Sequence, residues 1–197
     1  MRQNKKYKSG EKAGNSLRII AGRWRGRRIE FADSPGLRPT GDRLRETIFN
    51  WLQLSLPGAH CLDLFAGSGA MGFEAASRGA EKVTLIETAP LVVDKLALAS
   101  DKLDAGQCVD IQPCSAVDFI RQNRQPYDIV FLDPPFDSDL HEQSLNALAQ
   151  ATWLAPACKI IVESPKNFPV KNFFAPQWNI LREKTAGQVS VYYLLVE

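Results

Sequence analysis

Along this 197-residue chain, short unbroken apolar runs alternate with stretches in which apolar side chains return every three or four positions. The first pattern is that of buried strands and the second that of amphipathic helices. From residue 60 onward the runs predict strands over Cys61–Phe65, Val83–Ile86, Cys108–Gln112, Tyr127–Leu132 and Lys159–Val162. The intervening stretches predict helices over Ala70–Arg78, Leu91–Leu103, Ser115–Gln122 and Glu142–Ala151. Strands without polar alternation, each followed by a helix, are buried on both faces, so the expected fold is α/β with a doubly wound, parallel sheet. Two more strands, Trp178–Glu183 and Val189–Val196, are joined by Thr185-Ala186-Gly187-Gln188 and close the sheet as an antiparallel hairpin. The expectation is a mostly parallel seven-stranded, Rossmann-like sheet.

Upstream the rhythm differs. Leu17–Gly22 and Arg27–Phe31 predict two short strands around Gly22–Gly26, a small hairpin. Pro35–Thr40 reads as loop, and Leu44, Ile48, Phe49, Trp51 and Leu52 recur at helical spacing behind a cap at Thr40 or Asp42, until Pro57-Gly58. Residues 1–16, rich in Lys, Gly, Ser and Asn, predict a flexible basic tail. The chain therefore divides into tail (1–16), basic hairpin and loop (17–40), and an α/β domain (41–197).

Hydrophobic residues make up 45% and charged residues 23%, which supports a packed core rather than disorder. The net charge of +2 hides an uneven distribution. Residues 1–45 carry 13 Lys/Arg and 4 Asp/Glu, a net of +9, leaving 11 basic and 18 acidic residues, a net of −7, in the rest. No apolar run approaches the ~18 residues of a membrane span, and the polar start Met1–Lys6 lacks a secretory h-region. Cys61, Cys108, Cys114 and Cys158 show no paired spacing and read as buried reduced thiols. His60 and His141 have no metal-ligand partners nearby, and the expected setting is cytoplasmic, with no metal, no membrane association and a monomeric chain.

Ligands of doubly wound folds sit at the carboxyl ends of the strands. The first such end reads Leu62-Asp63-Leu64-Phe65-Ala66-Gly67-Ser68-Gly69-Ala70-Met71-Gly72. Its glycines satisfy G-x-G-x-x-G, which raises a dinucleotide as one possibility. Asp63 argues against it, since a carboxylate before the turn repels a pyrophosphate but attracts the ammonium and sulfonium of S-adenosylmethionine. Gly67 and Gly69 then allow close backbone approach beside Phe65, and Glu87 ends the next strand where an acid accepts bonds from both ribose hydroxyls. Ser115 and Ala116 mark a third strand end, where an adenine edge would lie; a plain helix cap is the other reading of Ser115.

The fourth strand runs out into Asp133-Pro134-Pro135-Phe136. Two prolines cannot continue a ladder, so the chain turns into the cleft with Asp133 at its lip. The lone pair of an exocyclic base amine is delocalised into the ring and is a poor nucleophile. A carboxylate oxygen and the Pro134 carbonyl can accept the amine's two hydrogens, and Phe136 can stack on the base, a contact worth ~1–3 kcal/mol. Orientation and preorganised acceptors then accelerate a direct displacement of the methyl group. A base within secondary structure must first be flipped out. The plain alternative for this segment is an ordinary Asp/Pro turn.

The chain resembles class I S-adenosylmethionine-dependent methyltransferases with an (Asp/Asn)-Pro-Pro-aromatic motif, and among them the RsmD family. The resemblance rests on Arg18–Arg27, Leu37–Trp51, the two strand-end loops and Arg182–Val189, nearly the whole length from Leu17. It implies methylation of guanine N2 in 16S ribosomal RNA, with S-adenosyl-L-homocysteine as product and ribosomal RNA or an assembling small subunit as partner. Ser115 departs from the Asn or Asp expected before Ala116.

Arg23, Arg25, Arg27 and Arg28 around Trp24 form a basic turn suited to RNA phosphates and bases, with Lys5, Lys6, Lys8 and Lys12 adding salt-sensitive attraction. Arg38, Thr40 and Arg43 are candidates for cofactor or RNA contact where this arm joins the body, and Arg45 is a further phosphate candidate. Glu163, at the end of the fifth strand, is a candidate acceptor for guanine N1–H or a structural acid. The same chemistry permits DNA adenine-N6 or protein-glutamine methylation, and a non-catalytic RNA-binding assembly factor is the third reading.

Overall fold

The computed structural model describes residues 15–31 and 41–197. The tail lysines, the Pro35–Thr40 loop, Arg38 and Thr40 lie outside the described residues. In chain order the elements are β1 (Ser16–Arg18), β2 (Arg28–Glu30), α1 (Asp42–Leu52), β3 (His60–Asp63), α2 (Ala70–Ser77), β4 (Lys82–Ile86) and α3 (Pro90–Leu103). They continue with β5 (Val109–Gln112), α4 (Ala116–Gln122), β6 (Tyr127–Leu132), α5 (Leu140–Ala149), β7 (Leu154–Pro165), a 3₁₀ turn (Val170–Phe173), β8 (Trp178–Ala186) and β9 (Val189–Val196).

Seven strands form one sheet in the order β5-β4-β3-β6-β7-β9-β8. The first five run parallel, while β9 is antiparallel to both β7 and β8. The order reverses between β3 and β6, which opens the crevice where such sheets bind ligands. Alternation along the strands sorts the core into two layers. Cys61, Val83, Leu85, Ile129, Phe131 and Ile161 face α1, α2 and α3, whereas Leu62, Leu64, Ile86, Val130, Leu132, Ile160 and Val162 face α4 and α5. Phe49 of α1 sits with its ring centroid 5.9 Å from that of Phe131, both side chains fully buried. Burial on this scale contributes ~1.5–3 kcal/mol per large side chain.

The N-terminal hairpin pairs Ser16 with Glu30, Leu17 with Ile29 and Arg18 with Arg28, and is shorter than the apolar pattern suggests. The reason lies in α2: Ile20 and Ala21 donate their backbone N–H groups to the Glu74 carboxylate rather than to a strand partner. Helix α1 starts on Gly41 with no side-chain cap; of the two expected caps, Asp42 lies inside the helix and pairs with Arg45, and Thr40 is outside the described residues. Strands β7 and β8 run past the C-terminal ends of their apolar runs because β9 templates both, pairing with β7 from Lys159–Leu195 to Pro165–Val189, while the start of β7 is held by the Tyr127–Leu154 pair with β6.

Candidate active site

The predicted cleft residues converge at the carboxyl ends of β3, β4 and β6. Asp63, the last residue of β3, is buried, and its Oδ2 accepts the Gly72 N–H at 3.1 Å. The loop that follows is tied back to the sheet by Ala66 N–H to the Ile86 carbonyl at 2.9 Å and closed by Gly69 N–H to the Ala66 carbonyl at 2.7 Å. Gly69 has φ +75°, and a Cβ there would lie 2.5 Å from the Phe73 ring, so this turn requires glycine.

Glu87, just beyond β4, uses its carboxylate differently from the bidentate ribose acceptor expected of it. Oε2 accepts from Gly67 N–H at 3.0 Å, while Oε1 accepts from Thr88 and Ala89 N–H at 2.8 and 2.9 Å. Of about four acceptor positions on a carboxylate, three are taken, leaving one on Oε2 for a ligand hydroxyl. Ser115 caps α4, its hydroxyl accepting from Asp118 N–H at 3.2 Å, and Ala116 is buried as the first helical residue. The capping reading of Ser115 is therefore the one observed.

Asp133 follows β6 into the cleft, Pro134 is buried behind it, and Phe136 stands 40% exposed at the rim. Burial raises the Asp133 carboxyl to about 7. Asp63 is also raised to about 7, first by burial and then by the negative charges of Asp133 and Glu87, against the lowering effect of its backbone hydrogen bonds. Asp63, raised by burial and by its acidic neighbours, is the carboxyl that a bound cation would stabilise in its ionised form.

A chain of rings supports the lip. Phe136 lies 5.9 Å from His141, His141 5.1 Å from Phe168, and Phe168 stacks on Phe173 at 5.7 Å. His141 is buried in α5, its Nε2 lies 2.9 Å from the Glu163 carbonyl oxygen, and burial lowers its proton affinity. Without metal-ligand neighbours in the sequence, it serves as the structural contact beneath Phe136. Glu163 is buried at the end of β7. A surface groove of about 720 Å³ between α4 and α5, lined by Arg121, Arg124, Glu142 and Trp153 among others, includes none of these cleft residues.

The arm departs most from the sequence reading. Trp24, expected to meet RNA, is buried in the core, and its backbone N–H bonds the Ser77 hydroxyl at 3.0 Å. Arg23 donates to the Cys108 sulfur at 2.8 Å and covers the Trp24 ring at 4.3 Å. Arg27 donates to the Lys102 carbonyl, and Arg28 to the Ser16 hydroxyl at 3.1 Å. The Arg25 backbone N–H donates to the Gly22 carbonyl at 3.2 Å, while among the described residues its guanidinium makes no hydrogen bond or ion pair and its side chain is exposed. Gly22, at φ +81°, lets the turn pass against the end of α2, where a Cβ would lie 1.9 Å from the Ser77 carbonyl oxygen. Ser77, Lys102 and Cys108 end helices or precede β5, so the turn docks at the end of the sheet opposite the cleft. Arg45, the further phosphate candidate, is also internal: it is buried and bonds the Arg18 carbonyl at 2.7 Å and Asp42 at 2.8 Å. The four cysteines are free thiols, with Cys61 and Cys158 buried and Cys108 and Cys114 half-buried.

Sequence reasoning missed Glu74, a fully buried acid that takes two hairpin N–H groups and the Arg78 Nε at 2.6 Å. The signal was there, as the one charged residue in the small, apolar helix Ala70–Ser77.

A sequence model described as Conserved hypothetical protein 95 matches residues 17–195. Two relatives bear the name ribosomal RNA small subunit methyltransferase D. That of Haemophilus influenzae is 46% identical over 183 residues, covering 90% of this chain and 93% of its own length. That of Escherichia coli strain K12 is 45% identical over 183 residues, covering 93% and 91%. The solved structure of yhhF from Escherichia coli matches with a TM-score of 0.83 at 43% identity, covering 93% of this chain and 99% of that one. With its class I sheet, its strand-end loops and these relatives, the chain belongs to the RsmD family of methyltransferases.

Proposed function

We propose that the protein transfers a methyl group from S-adenosylmethionine to the exocyclic N2 of a guanine in small-subunit (16S) ribosomal RNA, leaving S-adenosyl-L-homocysteine. The observation that carries this reading is the pair Asp63 and Asp133, two raised carboxyls at neighbouring strand ends beside an exposed aromatic rim. The relatives named as ribosomal RNA small subunit methyltransferases supply the RNA class.

The residues present fit the cofactor. Asp63 offers a charge that a cationic ligand stabilises, and Glu87 keeps one acceptor for a ribose hydroxyl. When bound, S-adenosylmethionine supplies an electrophilic methyl group on a sulfonium. The chain does the rest. Phe136 holds the flipped base flat, with His141 and Phe168 behind it. An Asp133 carboxylate oxygen and the Pro134 carbonyl accept the two N2 hydrogens and turn the lone pair toward the methyl group. Once the N–C bond forms, the amine carries one proton too many, and Asp133 Oδ, with its raised proton affinity, receives it.

Incubation with methyl-labelled S-adenosylmethionine and small-subunit RNA or particles, followed by digestion to nucleosides, tests the reading. N2-methylguanosine supports it; absence of that nucleoside, with label instead entering adenine N6 of DNA or a protein glutamine in parallel incubations with those substrates, replaces it.

A further inference from the structure

The arm spends three of its four guanidiniums on the protein itself, at the end of the sheet away from the cleft. A second basic surface lies nearer the chemistry, at the junction of α1 with β8. Lys184 Nζ donates to the Thr47 hydroxyl at 3.0 Å, and that hydroxyl donates to the Arg43 carbonyl at 3.0 Å. One turn further down α1, Trp51 stacks on Tyr193 of β9, centroids 6.1 Å apart and planes 9° from parallel. Helix α1 and the terminal hairpin are thus locked in register, and Arg43 stands one turn above the Thr47–Lys184 contact.

The sheet register fixes the height of this junction. Lys184 pairs with Val191, Val191 with Glu163, and Val162 with Leu132, so Asp133 leaves β6 in the row that contains Lys184. Three strand spacings separate them across the sheet, about 14 Å at the usual ~4.8 Å each. Arg182 lies on the same face as Lys184, two residues away, and its charge acts on the Tyr193 hydroxyl. All three cations are exposed. Glu183 points to the other face, where it pairs with Lys171 at 2.7 Å; the exposed acids of α1 beside Arg43 are Glu46 and Asp42, the latter paired with Arg45. The body surrounding this patch is net acidic, so these three cations, with Lys184 level with the proposed catalytic carboxyl, form a local reversal of sign.

We infer that Arg43, Arg182 and Lys184 form a phosphate-binding rim that holds the RNA backbone beside the flipped base. The inference rests on the proposed RNA substrate and adds a surface to it. Flexible lysine and arginine side chains about 14 Å from the reacting carboxyl can span one to two nucleotides of backbone. A small-subunit RNA fragment that the wild-type enzyme methylates is bound across a salt series, with Lys184→Ala and Arg182→Ala/Lys184→Ala compared with wild type. Each lost phosphate contact is expected to weaken binding ~5–10-fold near 0.1 M salt and to lower the log–log salt slope by roughly 1. The KM for RNA rises with it, while cofactor affinity holds. Thr47→Val removes the hydroxyl that holds Lys184 but keeps its charge, and is expected to retain most RNA affinity and the full slope. Equal affinity and slope in the double variant and wild type overturn the rim while leaving the RNA reading intact. Loss of affinity in Thr47→Val equal to that in Lys184→Ala overturns it too, assigning the lysine a structural role. A wild-type enzyme that binds no RNA removes both.

Discussion

The Glu74 carboxylate, buried in the middle of α2, accepts the backbone N–H of Ile20 at 2.7 Å, fifty-four residues earlier in the chain. With the Ala21 N–H at 3.0 Å and Arg78 Nε at 2.6 Å it satisfies a charge that could not otherwise be buried. The arm is fixed to the same helix whose first turn follows the Gly67–Gly69 loop.

Glu74→Ala strands two backbone donors and the Arg78 guanidinium. A loss of ~3–5 kcal/mol is expected from breaking such a buried network, with Glu74→Gln losing less. Urea unfolding measures the loss, and limited proteolysis at Arg23–Arg28 reports release of the hairpin. Unchanged stability in Glu74→Ala would mean the latch carries no weight.

Trp24 and Arg25 are neighbours with opposite roles. Trp24→Ala opens a cavity under the hairpin and is expected to cost ~3–5 kcal/mol. Arg25→Ala leaves stability within ~0.5 kcal/mol and weakens RNA binding modestly. Thermal unfolding and RNA titration of the two variants separate these effects; a stable Trp24→Ala protein with lost RNA binding would return the ring to the RNA surface.

Gly69→Ala forces a left-handed φ on a residue with a Cβ and drives that Cβ into Phe73 and Leu96. The expected outcome is a loss of ~1–3 kcal/mol and weakened cofactor binding, since the loop backbone must shift. Calorimetric titration with S-adenosylmethionine checks this. Wild-type affinity in the variant would show that the loop tolerates the shift.

The raised carboxyls give a pH dependence of definite sign. A carboxyl lifted from near 4 to about 7 favours the folded state below pH 4, and that contribution is lost as pH climbs to 7. A cationic cofactor favours the ionised form of Asp63, so its affinity rises with pH, by at most about tenfold per unit, and levels off above 7. Titration calorimetry in buffers of different ionisation enthalpy detects the released proton. Asp63→Asn flattens the profile; an identical slope in that variant would place the titrating group elsewhere.

The parallel sheet and the cleft acids were legible because both leave strong local signals. Unbroken apolar strands mark the doubly wound core, and the chain-breaking Gly67–Gly69 and Pro134-Pro135 segments mark where two of them end at the crevice. The internal contacts of the arm were not legible because composition records charge but not its partners. Arg23, Arg27 and Arg45 look free in a sequence and are bound by Cys108, Lys102 and Arg18 in the fold, contacts made across long stretches of chain. Trp24 follows the same logic, since nothing local distinguishes an aromatic that stacks on a base from one that anchors a hairpin. For Glu87 and Ser115 the backbone partners of the carboxylate and hydroxyl were equally out of reach of a local reading.

The central claim is that Asp133 turns the guanine N2 lone pair toward the methyl group without holding the cofactor. Wild type and Asp133→Ala, given labelled S-adenosylmethionine and the same small-subunit RNA, test it in one measurement of N2-methylguanosine formed per enzyme, with cofactor affinity read alongside. The account predicts that methylation falls by at least ~100-fold in Asp133→Ala while cofactor affinity stays within a few-fold of wild type. Full methylation by Asp133→Ala would contradict it.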